Sequence, residues 1–374
     1  MSKEHHKWLV ELTALPVAPA REACVIEWVR RWAARRRNVV LRADRFGNLL
    51  LRRKSAAAPR GRPIIFTAHM DHPAFVVTRV LGPRTLEADF RGGVEDRFFR
   101  RAAVLLHRPG RPPQPGLVTE LRPASADRPD RSVTVAFERD VLAAPGDVMT
   151  WHLGRLGITR DRLRARACDD LAGVVAALAA FDLCLAKRNL RDDVRVLLTR
   201  AEEVGFLGAI AAAKARSVPR NARLFALETS RSFPDSPLGA GPVIRVGDRT
   251  ATFDPDLTWR LGRIAEDLAR RDPRFRWQRK LMPGGTCEAS AYQAYGLASA
   301  ALCLPLGNYH NMNRDAGRID AETIDLSDFD GLVRLLVAVA ESLDDQQKFP
   351  PFRKRLDAIF ASRRQLLFDA RPGG

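Results

Sequence analysis

Histidine is scarce in this sequence, with seven copies, so the position of each one is informative. His69 ends the apolar run that begins at Pro63, and Asp71 lies two positions further along. Residues two apart on a strand share a face, so both side chains are expected to point the same way. A carboxylate beside an imidazole fixes its tautomer and orients the ring toward a metal ion. The pattern is short, and a hydrogen-bonded core histidine produces the same spacing.

Two further parts of the chain, one with a pair of aspartates and one with a histidine, could contribute to the same chemistry. Asp169 and Asp170 stand at the start of a predicted helix over Leu171–Leu185. Helix capping explains acids there, and the functional alternative is a carboxylate that bridges two cations. His310 follows a predicted strand over Ala298–Cys303 and a short turn, where a single histidine is usually structural.

Acids also follow two strands that the sequence predicts. Glu202 and Glu203 come after the apolar strand Val194–Thr199, and Glu228 closes the apolar strand Arg223–Leu227. Acids at the carboxyl ends of parallel strands line the crevice where α/β proteins bind ligands. Adjacent acids project in different directions, so one can bind a metal while the other faces a substrate. Solvated loop acids are the simpler alternative.

These modest signals combine into an ordered set of histidines and carboxylates at the ends of elements. Two imidazoles and three carboxylates form a mixed nitrogen and oxygen ligand set that suits zinc, cobalt or manganese. Five ligands with one shared carboxylate suit two ions about 3.5–4 Å apart. The sequence therefore predicts a centre for two divalent metal ions, with zinc as the first choice.

The elements that position this set point to an α/β catalytic domain with an insertion. At 374 residues, the chain exceeds the common domain size of roughly 100–150 residues. Strands and helices alternate over residues 1–74 and 164–345, which predicts one α/β domain. Between them, residues 75–163 contain short apolar stretches separated by turns, which predicts a small β-rich, barrel-like domain. Within that insertion, Pro109–Pro115 and Pro123–Arg131 are predicted to be loops.

The composition and charge indicate which partners and which location to expect for this protein. The net charge is +18, and 54 of the 62 basic residues are arginine. Interleaved acids break up most basic runs, the densest being residues 30–37 and 353–364, so we do not expect a nucleic-acid partner. No apolar run is long enough to cross a bilayer and no export signal is evident. Five scattered cysteines without a CxxC pair predict reduced thiols and a cytoplasmic location. Residues 346–374 are predicted to form a basic amphipathic tail.

An ordered series of motifs resembles the tetrahedral aminopeptidases, the deblocking or glutamyl enzymes of metallopeptidase family forty-two. The motifs are FTAHMD at 66–71, ACDDLAG at 167–173, AEEVGFLGA at 201–209, ALETS at 226–230, GPVIRVGD at 241–248, GGTCEA at 284–289 and LPLGNYHN at 304–311. The likeness covers roughly residues 8–345. It implies a zinc-peptidase-like, three-layer α/β catalytic domain. The 100 positions between His69 and Asp169 accommodate the family's inserted domain.

The resemblance implies a role for each matching residue. It assigns one metal to His69, Asp169 and Glu228, and the other to Asp169, Glu203 and His310. Glu202 matches the general base, which takes a proton from the attacking water and returns it to the leaving amine. Asp71 matches the residue that supports His69. Glu288 is a candidate for substrate binding, because it stands where the family usually has an aspartate.

The predicted function is a dinuclear metal-dependent hydrolase that removes N-terminal residues from short peptides, in a homo-oligomer. Two alternatives stay open from the sequence: a deacylase or carboxypeptidase of the same clan, and an inactive binding protein on this scaffold. The chain departs from the family after His69, where His72 follows the first motif. It departs again after His310, where Asn311 to Asn313 replace the usual continuation. These departures affect substrate recognition more than the predicted metal ligands.

Overall fold

A computed structural model describes residues 2–54, 61–187, 190, 193–345 and 347–369. The strands are β1 (Val39–Ala43), β2 (Leu49–Arg53), β3 (Ile64–His69), β4 (Ala74–Gly82), β5 (Thr85–Arg91), β6 (Ala103–Arg108), β7 (Arg111–Arg122), β8 (Arg131–Phe137), β9 (Val148–Trp151), β10 (Gly157–Thr159), β11 (Arg162–Ala165), β12 (Val194–Thr199), β13 (Arg223–Arg231), β14 (Val243–Asp248), β15 (Gln278–Met282), β16 (Ala298–Leu306), β17 (Met312–Asn313), β18 (Arg318–Ile319) and β19 (Glu322–Asp325). The α-helices are α1 (Lys3–Thr13), α2 (Ala23–Ala34), α3 (Cys168–Leu185), α4 (Leu207–Lys214), α5 (Pro255–Arg271), α6 (Glu288–Ala294), α7 (Leu326–Ser342), α8 (Phe352–Arg363) and α9 (Leu366–Asp369).

The largest sheet has eight strands in the order β1-β2-β12-β3-β13-β16-β14-β15. Its four central strands, from β12 to β16, run parallel to one another. All six residues of β3 are buried, as expected for an apolar strand that is covered on both faces. The carboxyl ends of the four central strands therefore meet at one edge of the sheet.

Helices cover both faces of this sheet. Ile64 and Phe66 of β3 pack in a core with α1, α3 and α7, whereas Ile65 packs in a second core. That second core includes Ala209 of α4 and Tyr292 of α6. The alternation follows from the two-residue period of a strand. The predicted three-layer α/β arrangement is confirmed.

The β-rich segment forms a closed six-stranded barrel in the order β4-β5-β8-β7-β6-β9. Its interior is filled by four aromatic rings, Phe75, Phe90, Phe99 and Trp151, several of them packed edge to face. Next to the barrel in sequence, β10 pairs with β11, and β11 pairs with β19 instead of a barrel strand. The exact domain boundaries at residues 75 and 163 stay predictions.

One predicted loop is wrong. Pro109–Pro115, with its four prolines, was expected to be a loop, but β7 begins at Arg111 and includes three of them. From Arg111 to Pro115 the strand pairs with β6 alone, and pairing with β8 begins only at Gly116. Proline is tolerated there because one side of the strand has no ladder partner that needs its missing N–H.

The state of the cysteines and the length and apolar content of the helices agree with what the sequence predicts. All five cysteines are free, and four of them are buried. Among the described helices, none combines the length and the apolar content that crossing a bilayer requires.

Packing at Gly208 gives a first prediction. A methyl group at this position would overlap the backbone of Arg200, which precedes the predicted site residues Glu202 and Glu203. We expect Gly208→Ala to lower the free energy of unfolding by about 1–3 kcal/mol, because the packed backbone of Arg200 cannot move away from the added methyl group without strain. Chemical denaturation measures the effect.

Gly262 of α5 is the matched control for this substitution. No atom lies within 4 Å of the position that its Cβ would occupy. Gly262→Ala should therefore raise stability by about 0.5–1 kcal/mol through helix propensity. Equal effects of the two substitutions would contradict the packing argument.

Candidate metal centre

His69 lies at the carboxyl end of β3, at the sheet edge predicted for the site. Its Nδ1 donates to the backbone carbonyl of Asp71 at 3.2 Å. This hydrogen bond leaves Nε2 as the ligand atom. That Nε2 lies 3.6 Å from Oδ1 of Asp169 and 3.9 Å from Oε2 of Glu228. All three side chains are buried, and they converge although they come from distant parts of the sequence.

Asp169 presents its two carboxylate oxygens to two different groups of side chains. Oδ1 faces His69, and Oδ2 lies 3.3 Å from Nε2 of His310. The Thr229 hydroxyl donates to Oδ1 at 3.1 Å and fixes the rotation of the carboxylate. Asp169 therefore lies between the two imidazoles, as a bridging ligand must.

His310 completes the second group. Its Nε2 lies 3.2 Å from Oε1 of Glu203. Its Nδ1 donates to the backbone carbonyl of Gly93 at 2.6 Å. Gly93 follows barrel strand β5, so the barrel orients a side chain of the α/β site. The ring of Tyr309 stacks on His310 at a centroid distance of 3.8 Å.

All five predicted ligands and the predicted base therefore lie together. Three groups have potential ligand atoms within 4.8 Å of one another: His69, Asp169 and Glu228; Asp169, Glu203 and His310; and His69, Glu202 and Glu203. The first two groups are the sets that the sequence predicts for the two metals.

The geometry fits metal ions better than it fits hydrogen bonds. Nε2 of His310 and Oε1 of Glu203 are buried 3.2 Å apart, yet neither has a hydrogen-bond partner. Two ligands of one tetrahedral zinc ion, bound at about 2.0–2.2 Å, lie roughly 3.4 Å apart. The ligand separations of 3.2–3.9 Å in both groups are close to this value.

Electrostatics also favour bound cations. Burial raises the pKa of Glu202 well above its ordinary value, and the neighbouring carboxylates of Glu228 and Glu203 raise it further. Burial likewise raises the pKa of Glu228, to about 8. For Asp169, burial acts to raise the pKa, but the adjacent imidazoles of His310 and His69 outweigh it, so the pKa is lowered. Buried carboxylates outnumber the two imidazoles, and coordination of a divalent ion offsets such an excess.

Asp71 has a wider role than support of His69. Its carboxylate accepts hydrogen bonds from the backbone N–H groups of Glu202 and Glu203, at 3.0 and 3.1 Å. The backbone carbonyl of Asp71 accepts from Nδ1 of His69, and its carboxylate Oδ1 lies 3.5 Å from the same nitrogen. One buried residue just after β3 therefore fixes both a histidine and the turn that carries the two glutamates.

Glu322 contacts two residues of the predicted site, and the sequence did not predict this role. This fully buried residue of β19 accepts from the backbone N–H of Asp169 at 3.0 Å and of His310 at 2.8 Å. His310 has a φ of 53°, an unusual conformation for a residue with a side chain, and this contact holds it. The only signal in the sequence is an acid at the start of an apolar strand shortly after His310.

Glu288 lies behind the site instead of at an open surface. It is 1% exposed, and Oε2 accepts from the Thr67 hydroxyl at 3.3 Å. Burial raises the pKa of Glu288 to about 7. Its contact with a substrate stays a prediction.

Comparison with known proteins agrees with the geometry. The M42 glutamyl aminopeptidase family matches residues 47–326, which is most of the chain. The chain belongs to this family. It is therefore a metal-dependent aminopeptidase, a hydrolase of peptide bonds. No curated protein matches the sequence significantly.

Solved structures support the same fold. The dodecamer PhTET1-12s is 25% identical, with a TM-score of 0.74, and the match covers 91% of this chain and 100% of that one. The TET1 peptidase of Pyrococcus horikoshii, which assembles into a tetrahedron or an octahedral shell, is 24% identical, with a TM-score of 0.73 and coverage of 90% and 99%. An aminopeptidase of Desulfurococcus kamchatkensis is 22% identical, with a TM-score of 0.73 and coverage of 90% and 94%.

The contacts of Glu322 predict an effect on metal binding. We expect Glu322→Ala to weaken zinc affinity by about 10–100-fold, because the backbone segments that carry the predicted ligands Asp169 and His310 both lose their support. Titration of the metal-free protein against a zinc chelator of known affinity measures the change. Glu138→Gln, at an exposed position of the barrel, is the control. Equal affinity in both variants would contradict the prediction.

Proposed function

We propose that this chain binds two divalent metal ions and uses them to remove N-terminal residues from short peptides. One observation carries the proposal: the two oxygens of Asp169 face two separate groups, His69 with Glu228 and His310 with Glu203. A single cation does not need a carboxylate that is held between two such groups. The mixed imidazole and carboxylate donors favour zinc, with cobalt or manganese as alternatives.

The proposed ligands divide into two sets that share Asp169. When bound, two such cations supply Lewis acidity, which polarises the scissile carbonyl and lowers the pKa of a nearby water. Asp71 accepts from the backbone N–H groups of Glu202 and Glu203, and Glu322 accepts from those of Asp169 and His310. The side chains of the proposed ligands therefore need little rearrangement to bind.

Glu202 is the proposed general base. Its carboxylate lies 3.9 Å from Nε2 of His69, and its backbone is fixed by Asp71. Burial first, and neighbouring carboxylates second, raise the pKa of Glu202. A carboxylate of raised pKa accepts a proton from the attacking water more readily, and its acid form returns the proton to the leaving amine. Glu203, although adjacent in sequence, faces His310 and is proposed as a ligand.

We further propose that the chain assembles into a homo-oligomer in the cytoplasm. The TET structures described above are oligomeric, which supports assembly here. Five unpaired cysteines fit a reducing compartment. The barrel, as a closed unit with its own aromatic core, is proposed to be the inserted domain of residues 75–163.

The role of Glu202 is tested by Glu202→Gln. This substitution keeps the size of the side chain and removes the proton acceptor. We expect kcat on a peptide substrate to fall by about 10²–10⁴-fold, with two metal ions per chain retained. Steady-state kinetics and elemental analysis of the same sample measure both quantities. An unchanged kcat would remove Glu202 from the mechanism.

The requirement for a free N-terminal amine is tested with a pair of substrates. We expect a short peptide with a free amino group to be cleaved at least about tenfold faster than its N-acetylated form. Acetylation replaces the amine that an aminopeptidase recognises with an acyl group that cannot make the same contacts. Liquid chromatography of the products measures both rates. Protein treated with a chelator serves as the blank, and preferential cleavage of the acetylated peptide would indicate a deacylase.

A further inference from the structure

Glu22 is a buried acid whose side chain does not serve its own helix. It occupies the N-cap position of α2, yet its side chain makes no capping hydrogen bond there. The residue is fully buried, with 0% exposure. A buried carboxylate is costly unless it is hydrogen-bonded, so its partners show which part of the structure it stabilises. Glu22 also precedes residues 47–326, the part of the chain that the family model matches.

The main partners of Glu22 lie in residues 200–203, which we name the Glu202 turn. Oε1 of Glu22 accepts from the backbone N–H of Ala201 at 3.0 Å and from that of Ala20 at 2.8 Å. Oε2 accepts from Nε of Arg200 at 2.8 Å. The Arg200 side chain is 29% exposed, so its guanidinium offsets the buried charge of Glu22 while it keeps contact with water.

Every backbone N–H of the Glu202 turn donates to a side-chain oxygen. That of Arg200 donates to Oδ1 of Asn48 at 3.2 Å, and that of Ala201 donates to Glu22. The last two N–H groups of the turn donate to Asp71, as described above. Glu22 therefore holds a part of the turn that Asp71 does not contact.

The backbone of Ala201 has an unusual conformation directly before Glu202. Its φ of 52° lies in the left-handed region, which residues with a side chain rarely adopt. Such a conformation persists only where the surrounding structure fixes it. The hydrogen bond from the Ala201 N–H to Glu22 is a restraint of this kind, and it acts one residue away from the Glu202 carboxylate.

We propose that Glu22 is a positioning residue for Glu202: its Oε1 holds the N–H of Ala201 and so fixes where the Glu202 carboxylate lies. This inference rests on the proposed role of Glu202 as general base. Glu22 is fully buried and is not a candidate for contact with a substrate, so it acts through the turn. A catalytic group that is misplaced by about 1 Å loses on the order of 10²-fold in rate, which sets the size of the effect to expect.

Two substitutions of Glu22 separate its reach from its charge. Glu22→Asp keeps the charge and withdraws the carboxylate by one methylene, whereas Glu22→Gln keeps the contacts of Oε1 and removes the charge. We expect Glu22→Asp to lower kcat by about 10–100-fold with KM unchanged. Glu22→Gln should keep kcat within about threefold of the parent chain. Glu27→Asp, at an exposed position of α2, is the matched control and should leave kcat unchanged.

Steady-state kinetics at saturating zinc measure these values for folded protein. A larger loss in Glu22→Gln than in Glu22→Asp would overturn the proposal, because it would make the charge of Glu22 the operative property. Equal kcat in Glu22→Asp and Glu27→Asp would also overturn it.

Hydrogen exchange observes the turn directly and does not depend on activity. Mass spectrometry of peptides that span residues 199–206 reports the exchange of the Ala201 amide. We expect this exchange to be at least about tenfold faster in Glu22→Asp than in the parent chain, and unchanged in Glu22→Gln and Glu27→Asp. Equal exchange in Glu22→Asp and the parent chain would overturn the proposal. So would a loss of zinc from Glu22→Asp in elemental analysis, because it would place the effect on the proposed ligand Glu203.

Combining Glu22→Asp with Glu202→Gln shows whether the effect passes through Glu202. We expect the double variant to have the same kcat as Glu202→Gln alone, because the position of an absent base has no effect on the rate. A further fall in kcat would overturn the proposal. If Glu202→Gln itself leaves kcat unchanged, the proposed base and its positioning residue fail together. If Glu202→Gln lowers kcat and Glu22→Asp does not, only the role of Glu22 fails.

Discussion

Two buried carboxylates hold the site together through backbone N–H groups. Asp71 accepts from Glu202 and Glu203, and Glu322 accepts from Asp169 and His310. Asp71 therefore fixes two neighbouring residues of the proposed site, and Glu322 fixes two separate segments that carry proposed ligands. A charge-assisted hydrogen bond to a buried carboxylate is stronger than one between neutral groups, and it restricts direction as well as distance. The positions of the side chains around Asp169 depend on these four bonds.

This arrangement concentrates negative charge where water is excluded. The carboxylate of Glu228 is held close to those of Asp169 and Glu202, and burial makes their mutual repulsion more costly. The two proposed cations would offset that cost, and the same preorganised carboxylates would bind them with little reorganisation. The barrel takes part as well, because the carbonyl of Gly93 selects which nitrogen of His310 faces the centre. An insertion after β3 thus contributes to a site that is otherwise built at the edge of the α/β sheet.

Much of the fold followed from periodicity. The apolar runs at β3 and β13, and the run at β12 that only Arg195 interrupts, predicted central parallel strands, because such strands are covered on both faces. Pattern alone was misleading at Pro109–Pro115, since the environment of a strand edge overrides the low strand propensity of proline. Strand β14 (Val243–Asp248) was recognised only as a family motif, because a short run with Arg245 inside it lacks a clear period.

The sequence by itself determined which residue types meet, because an imidazole or carboxylate at the end of an apolar strand of a parallel sheet can lie only at one edge. It therefore indicated His69, Glu202, Glu203, Glu228 and His310, and the start of a predicted helix indicated Asp169. Only the tertiary structure decided how they are held. Glu322 is separated from Asp169 by 153 positions, and Gly93 from His310 by 217. Such contacts depend on strand pairing and on the docking of the barrel, and neither leaves a local pattern in the chain.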